Sequence, residues 1–123
     1  MRFEWHDNQP IYLQLRDRVV ELLLDGALTD GDALPSIREL ASDSRLNPLT
    51  VHKSYQLLVD EGLVESRRGL GMFVVEGARE RLLVYTRRRF VEEEWPRIVA
   101  TAARLGIELD ALVAGERKKR KKA

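Results

Sequence analysis

The chain contains no cysteine. A disulfide framework, a thiolate metal site and a thiol nucleophile are therefore all excluded. Histidine is scarce, with only His6 and His52 among 123 residues, so groups that exchange protons near neutral pH are few. No Ser/His/Asp constellation and no phosphate-binding glycine loop is present, so an enzyme is not expected. His6 and Asp7 lie side by side without further ligands, too few for a zinc site; neither a metal nor a cofactor is expected. No apolar run approaches the roughly 20 residues of a membrane span, so no membrane partner is expected. The opening MRFEWHDNQP has no secretory apolar core, and the expected address is cytoplasmic.

What remains is an ordinary folding composition, 44% hydrophobic and 33% charged. The formal charge is +1, from 21 basic and 20 acidic side chains, and it is unevenly spread. Six cations stand together from Arg117 to Lys122, and removing six from +1 leaves −5 for the rest. Any nucleic-acid site in that acidic body must be a local patch.

Along the chain, PIYLQLRDRVVELLLDG opens a helix at Pro10. Its apolar stripe is Ile11, Leu15, Val19, Leu22 and Leu23, and Gly26 is its stop. The turn TDGD follows. LPSIRELASDSR makes a short second helix with a capping box at Ser36 and Glu39, and Ile37, Leu40 and Ala41 form its buried edge. After SRLN comes NPLTVHKSYQLLVDEG, with Asn47 at the N-cap and Pro48 at the first helical position, stopping at Gly62. Two short helices joined by a brief turn outline a helix-turn-helix. Two strand-like runs, Leu63 to Ser66 and Met72 to Val75, then flank RRGLG and predict a β-hairpin. That order is a winged helix, giving a mainly α fold with a small hairpin (α+β).

From Arg79 to Leu105 the pattern is helical and amphipathic, with Val84, Val91, Ile98 and Leu105 every seven residues and Trp95 and Ala102 beside them, a stripe expected to self-associate as a dimer interface in preference to packing back on the winged helix. Pro96 predicts a kink, or two helices meeting near Trp95. A last short helix starts near Glu108. The expected division is a winged helix-turn-helix over 1–77, a helical dimerisation and effector region over 78–115, and a disordered basic tail over 116–123.

The third helix sets Leu49, His52, Lys53 and Gln56 away from its apolar side, Val51, Tyr55 and Leu58. An amide, a cation and an apolar group on one outward face suit the donors, acceptors and thymine methyls of a major groove. Gln56 fits adenine, Lys53 a guanine or phosphate, and Leu49 a thymine methyl. The backbone N–H groups at Asn47 to Thr50, with the helix dipole, suit a phosphate. Arg38 is placed to clamp a neighbouring strand, and Arg67 and Arg68 to reach phosphates. Gly69 and Gly71 permit close approach to a groove. Tyr55 reads mainly as packing, with its hydroxyl a candidate phosphate contact. Glu92, Glu93 and Glu94 read as a charge run on the wet side of a helix.

LPSIRELA, NPLTVHKSYQLLVDEGLV and RRGLGMFV together resemble the DNA-binding region of the GntR family of bacterial transcription regulators. PIYLQL, the GDALPS turn and the short C-terminal region are most similar to its YtrA branch. The resemblance covers roughly residues 9 to 76 well and the remainder loosely. It implies a dimeric winged-helix repressor on a near-palindromic operator, with target genes of the membrane-transport type and its own operon. It also implies DNA contacts at Arg38, at Asn47, Pro48, Thr50 and His52, and at Gly69; Ser36 falls within the same matched stretch. Leu49 departs from the polar residue frequent in the branch, and Ser54 from its alanine. A small effector, if one exists, is expected at the dimer interface. The competing class is a winged helix that binds protein and not DNA. Arg38, Lys53, Arg67 and Arg68 decide between them, by converging on one surface or by being neutralised by carboxylates such as Asp43 and Asp60. The basic tail has three readings: nonspecific phosphate contacts, solubility, or no role.

Overall fold

Pro10 precedes the first helix with φ −55° and ψ 142°, and the chain then turns helical as α1 (Ile11–Leu24). Leu15, Val19 and Leu23 are its buried stripe, as expected, whereas Ile11 is exposed. The inner position there goes to Gln14, whose amide is saturated: Nε2 donates to the His6 and Gln9 carbonyls at 2.7 Å each, and Oε1 accepts the His6 N–H at 3.0 Å. A buried amide with its bonds made costs little. The structure, a computed structural model, describes residues 4–122.

Three segments bring a second, third and fourth element onto α1. The second is α2 (Ile37–Ser44), whose Ser36 Oγ accepts the Glu39 N–H at 3.0 Å. The third is α3 (Pro48–Asp60), where Asn47 Oδ1 accepts the Leu49 N–H at 2.9 Å and Pro48 takes the first turn. Between them Arg45 adopts φ 54°, a left-handed conformation uncommon outside glycine, and Leu46 N–H closes back to Ala41 O at 2.9 Å. The fourth is the antiparallel hairpin β1 (Val64–Arg67) and β2 (Gly71–Val74), with Val64 opposite Val74 and Arg67 opposite Gly71. Val51, Tyr55 and Leu58 of α3 meet Leu15, Val19 and Leu23 of α1 in one core, which Leu40, Val64 and Val74 complete.

The hairpin has a third edge that the GDALP turn concealed. Gly31 N–H donates to Val74 O, Val74 N–H to Asp32 O, and Leu34 N–H to Met72 O, all at 2.8–2.9 Å. An isolated two-stranded hairpin is marginal in water, and this bracing from residues 31–34 ties it to the helices.

Next comes α4 (Ala78–Arg89), followed by a π-helical turn (Phe90–Glu94), α5 (Trp95–Leu105) and α6 (Leu109–Lys122). The interruption expected near Trp95 is this π turn. Pro96 cannot donate, and its ring crowds the carbonyl four residues back. The turn before it widens, and Trp95 N–H reaches Phe90 O, five residues back.

The chain divides into two compact units, residues 1–83 and 84–123. The boundary therefore lies past the expected position 77, because Ala78 and Leu82 of α4 belong to the first core. Of the stretch 116–123 expected to be disordered, 116–122 continue α6 as helix with Gly115 within it, and residue 123 lies outside the described residues.

Candidate nucleic-acid interface

The capped start of α3 fixes which side chains face out. Val51, Ser54, Tyr55 and Leu58 are buried, which turns Leu49, His52, Lys53 and Gln56 to solvent. Leu49 is 75% exposed, far beyond what packing would leave for a leucine that close to a core. Thr50 is half-buried at the flank. Asn47 and Pro48 are exposed at the N-terminal end, where the helix dipole is positive, but Pro48 has no N–H and the Leu49 and Thr50 N–H groups are bonded to Asn47 Oδ1 and Asn47 O, both at 2.9 Å, so the expected row of amides for a phosphate is already taken up.

Tyr55 locks this helix to the one before it. Its hydroxyl donates to the Pro35 carbonyl at 2.7 Å, holding the residue before Ser36 and so the start of α2. Burial pushes the phenol well above its ordinary range. That hydroxyl is occupied inside the protein, which removes it as a phosphate contact. Ser36 Oγ is likewise engaged as the cap of α2, although the residue is exposed. Arg38, Ser42 and Pro48 share a shallow hollow between α2 and α3, so Arg38 and the start of α3 are brought together.

Of the four deciding cations, Arg38 and Arg68 are exposed and make no hydrogen bond or ion pair to another described residue. Lys53 Nζ rests 4.0 Å from the centre of the Tyr12 ring, a cation–π contact that leaves its charge unneutralised. Arg67 stacks 4.4 Å over Phe73 and pairs with Glu65 at 3.1 Å. Neither Asp43 nor Asp60 neutralises any of the four; Asp60 instead accepts from Gln56 Nε2 at 3.0 Å. An exposed amide–carboxylate bond is weak, so Gln56 exchanges it at little cost.

The wing tip is a tight turn in which Leu70 N–H donates to Arg67 O at 2.9 Å. Gly69 sits at its third position with φ +76°, a conformation that a side chain disfavours. Gly71 follows at φ +117°. Arg68 and Leu70 project from this turn, and Leu70 is 72% exposed.

Four side chains that anchor the site escaped the sequence. Arg79 donates from Nε and Nη2 to the Leu23 and Leu24 carbonyls at 2.9 and 3.0 Å, closing the C-terminal end of α1. Arg81 donates to Gly62 O and Glu76 O at 3.0 and 3.3 Å, and Asp30 accepts the Gly77 N–H at 2.8 Å. Arg16 joins α1 to the end of α3 through both oxygens of Glu61, which raises its already high pKa. A hint exists only for Arg79, an arginine at the start of a helix whose neighbour ends in free carbonyls.

In the second unit Val84, Val91, Trp95, Ile98 and Leu105 are exposed, as an unpartnered stripe would be. Ala102 differs: it is 6% exposed, because Ile107 folds back on it through an N–H bond to its carbonyl at 2.9 Å. Ala102 is thus covered by its own chain, unlike the other five residues expected at a dimer interface. It floors an apolar hollow of about 300 Å3 between α5 and α6, lined also by Ile98, Leu105, Ile107 and Leu112. The Glu92–Glu94 run is exposed, with Arg88 and Arg89 paired to Glu92 and Glu93.

The model of bacterial regulatory proteins of the gntR family matches residues 11–74, from α1 through β2 and just over half of the chain. The chain belongs to the GntR family. It is a DNA-binding transcription regulator of the YtrA-like, winged helix-turn-helix kind. It is 39% identical to the transcriptional repressor YtrA of Bacillus subtilis over 84% of this chain and 78% of that protein. A transcriptional regulator from Oenococcus oeni superposes over 96% of this GntR chain and 92% of its own, with a TM-score of 0.74 and 28% identity. The DNA-binding domain of AraR, solved in complex with an operator, matches 59% of this chain and 89% of its own, with a TM-score of 0.53 and 25% identity. Among the described residues no helix is long and apolar enough to cross a membrane, and no group of three or more potential ligands could hold a metal ion.

Proposed function

We propose that this GntR chain is a homodimeric repressor that occludes a promoter by binding a near-palindromic operator. The observation that carries the reading is the outward ridge of α3, with Leu49, His52, Lys53 and Gln56 exposed beside the positive end of the helix dipole. In this reading Gln56, Lys53 and Leu49 read base edges, and residues near the helix start reach deepest. Arg38, Asn47, Thr50 and Arg68 hold phosphates. Gly69 and Gly71 bring the wing backbone close to the duplex. The names of the relatives, a repressor and an operator-bound domain, support the same assignment.

The second unit supplies the dimer. Val84, Val91, Trp95, Ile98 and Leu105 expose an apolar stripe too long to stay in water, and a second copy covers it. Two reading helices then stand roughly 34 Å apart, one turn of DNA. Side chains of the partner, or a small effector, fill the hollow beside Ala102. Target genes of the transporter type, control of the protein's own operon and a cytoplasmic address follow from the YtrA-like kinship.

The alternative, a protein-binding winged helix, draws its only support from the acidic body and from Glu65 beside Arg67. The test is a gel-shift titration against the DNA upstream of the protein's own gene, at two salt concentrations. A shifted, competitor-resistant band that Arg38→Ala and Lys53→Ala abolish is the expected result. A protein that shifts no duplex at either salt concentration sinks the regulator reading.

A further inference from the structure

We propose that the basic end of α6 is a second DNA contact, one that grips the phosphate backbone without reading sequence. The inference rests on the regulator reading above and extends it to a part of the chain outside the family match. The last turns, ERKKRKK from Glu116 to Lys122, hold six cations, one carboxylate and no apolar side chain. Residues 116–121 are exposed. At about 100° per residue, consecutive cations in a helix point all round its axis. Arg117 lies beside Arg120 and Lys121, and Lys118 beside Lys121. Like charges at these spacings each weaken a helix. The counterweights are the negative end of the helix dipole and one exposed pair, Glu116 with Lys119 at 3.4 Å. A helix so loaded is stabilised further by a polyanion.

The chemistry of the segment selects among polyanions. A bilayer surface holds a helix that also sinks an apolar face, and these turns have none. Duplex DNA presents one charge per ~1.7 Å of its axis and asks for nothing else. With the rest of the chain at −5, these six cations, of which Lys119 alone is paired among the described residues, are the longest unbroken run of positive charge in the sequence. Once α3 has engaged a site, the α6 contact to flanking phosphates is intramolecular and gains by effective concentration.

The test replaces all six cations by glutamine, which keeps helix propensity: Arg117→Gln, Lys118→Gln, Lys119→Gln, Arg120→Gln, Lys121→Gln and Lys122→Gln in the full-length chain. Fluorescence anisotropy follows binding to the operator duplex, to an unrelated duplex, and to vesicles of phosphatidylcholine and phosphatidylglycerol in equal parts, across a salt series. The expected result is weaker binding to the unrelated duplex, by roughly 100-fold at 0.1 M salt, and a log–log salt slope shallower by about 2. Operator preference over the unrelated duplex survives. Equal slopes and affinities for the two proteins overturn the inference and leave the regulator intact. Tighter wild-type binding to vesicles than to duplex also overturns it. Loss of operator preference in the wild type, with the slope difference retained, instead sinks the regulator reading and keeps this one. A wild type that binds no duplex sinks both.

Discussion

Residues 4–83 and 84–122 treat apolar side chains in opposite ways. In the first unit Leu15, Val19, Leu23, Val51, Leu58 and Val74 are fully buried, and α1, α2, α3 and the hairpin share one core. In the second, the sole buried hydrophobic among the described residues is Ala102, while Phe90, Val91, Trp95, Ile98 and Leu112 all face water. The first unit has the core of a self-sufficient fold. The second has helices whose apolar faces lie open, although helical stability comes mostly from packing an amphipathic face. A regulator divided this way carries its reading helix on a packed core and its open apolar faces in a separate unit.

The largest expected effect comes from separating the two units. Truncation after Arg89 keeps Ala78 and Leu82 in the first core. It should yield a folded monomer by light scattering whose operator affinity is lower by roughly 10²–10⁴. A dimer persisting there breaks the contrast. Truncation after Gly77, by comparison, strips Ala78, Leu82 and the Arg79 clamp from the first unit and should lower its melting temperature as well.

Point changes sharpen the same comparison. Leu58→Ala should cost about 2–5 kcal/mol in chemical denaturation, because it opens a cavity in a filled core. Ile98→Ser should leave the unfolding of the isolated first unit untouched by construction and shift the full chain from dimer toward monomer. Next in size, Arg79→Ala strips two carbonyls at the end of α1 and should cost about 1–3 kcal/mol. The smallest is a gain. Ser54 is fully buried and its hydroxyl has no partner among the described residues. Ser54→Ala should stabilise by about 1 kcal/mol, with operator affinity unchanged.

How legible each part was follows the same division. Helix starts with local chemistry were plain in the sequence: the Ser36 cap, the Asn47–Pro48 start of α3, and the glycine-containing hairpin turn each act within a few residues. The π turn was half legible, since Pro96 forces an interruption but does not dictate its form. What stayed hidden depends on partners far along the chain. Residues 31–34 bracing β2, Arg79 capping α1 from 55 residues away, and Tyr55 holding Pro35 leave no periodicity to find. Gln14 was hidden for a related reason: a buried amide looks polar in any pattern and is legible only through its acceptors. In the basic tail the like charges argue against a helix, while α6 continues through Gly115 to Lys122. The outward ridge of α3 was legible because burial of Val51, Tyr55 and Leu58 leaves the other side chains nowhere else to point.

The measurement that bears most directly on that ridge is hydrogen–deuterium exchange of the full-length protein, with and without the DNA upstream of its own gene. The account predicts slowed exchange in peptides covering residues 36–56 and 67–71 on adding DNA, with α1 unchanged. Protection confined to residues 84–122, with residues 47–56 exchanging as in the free protein, would contradict it.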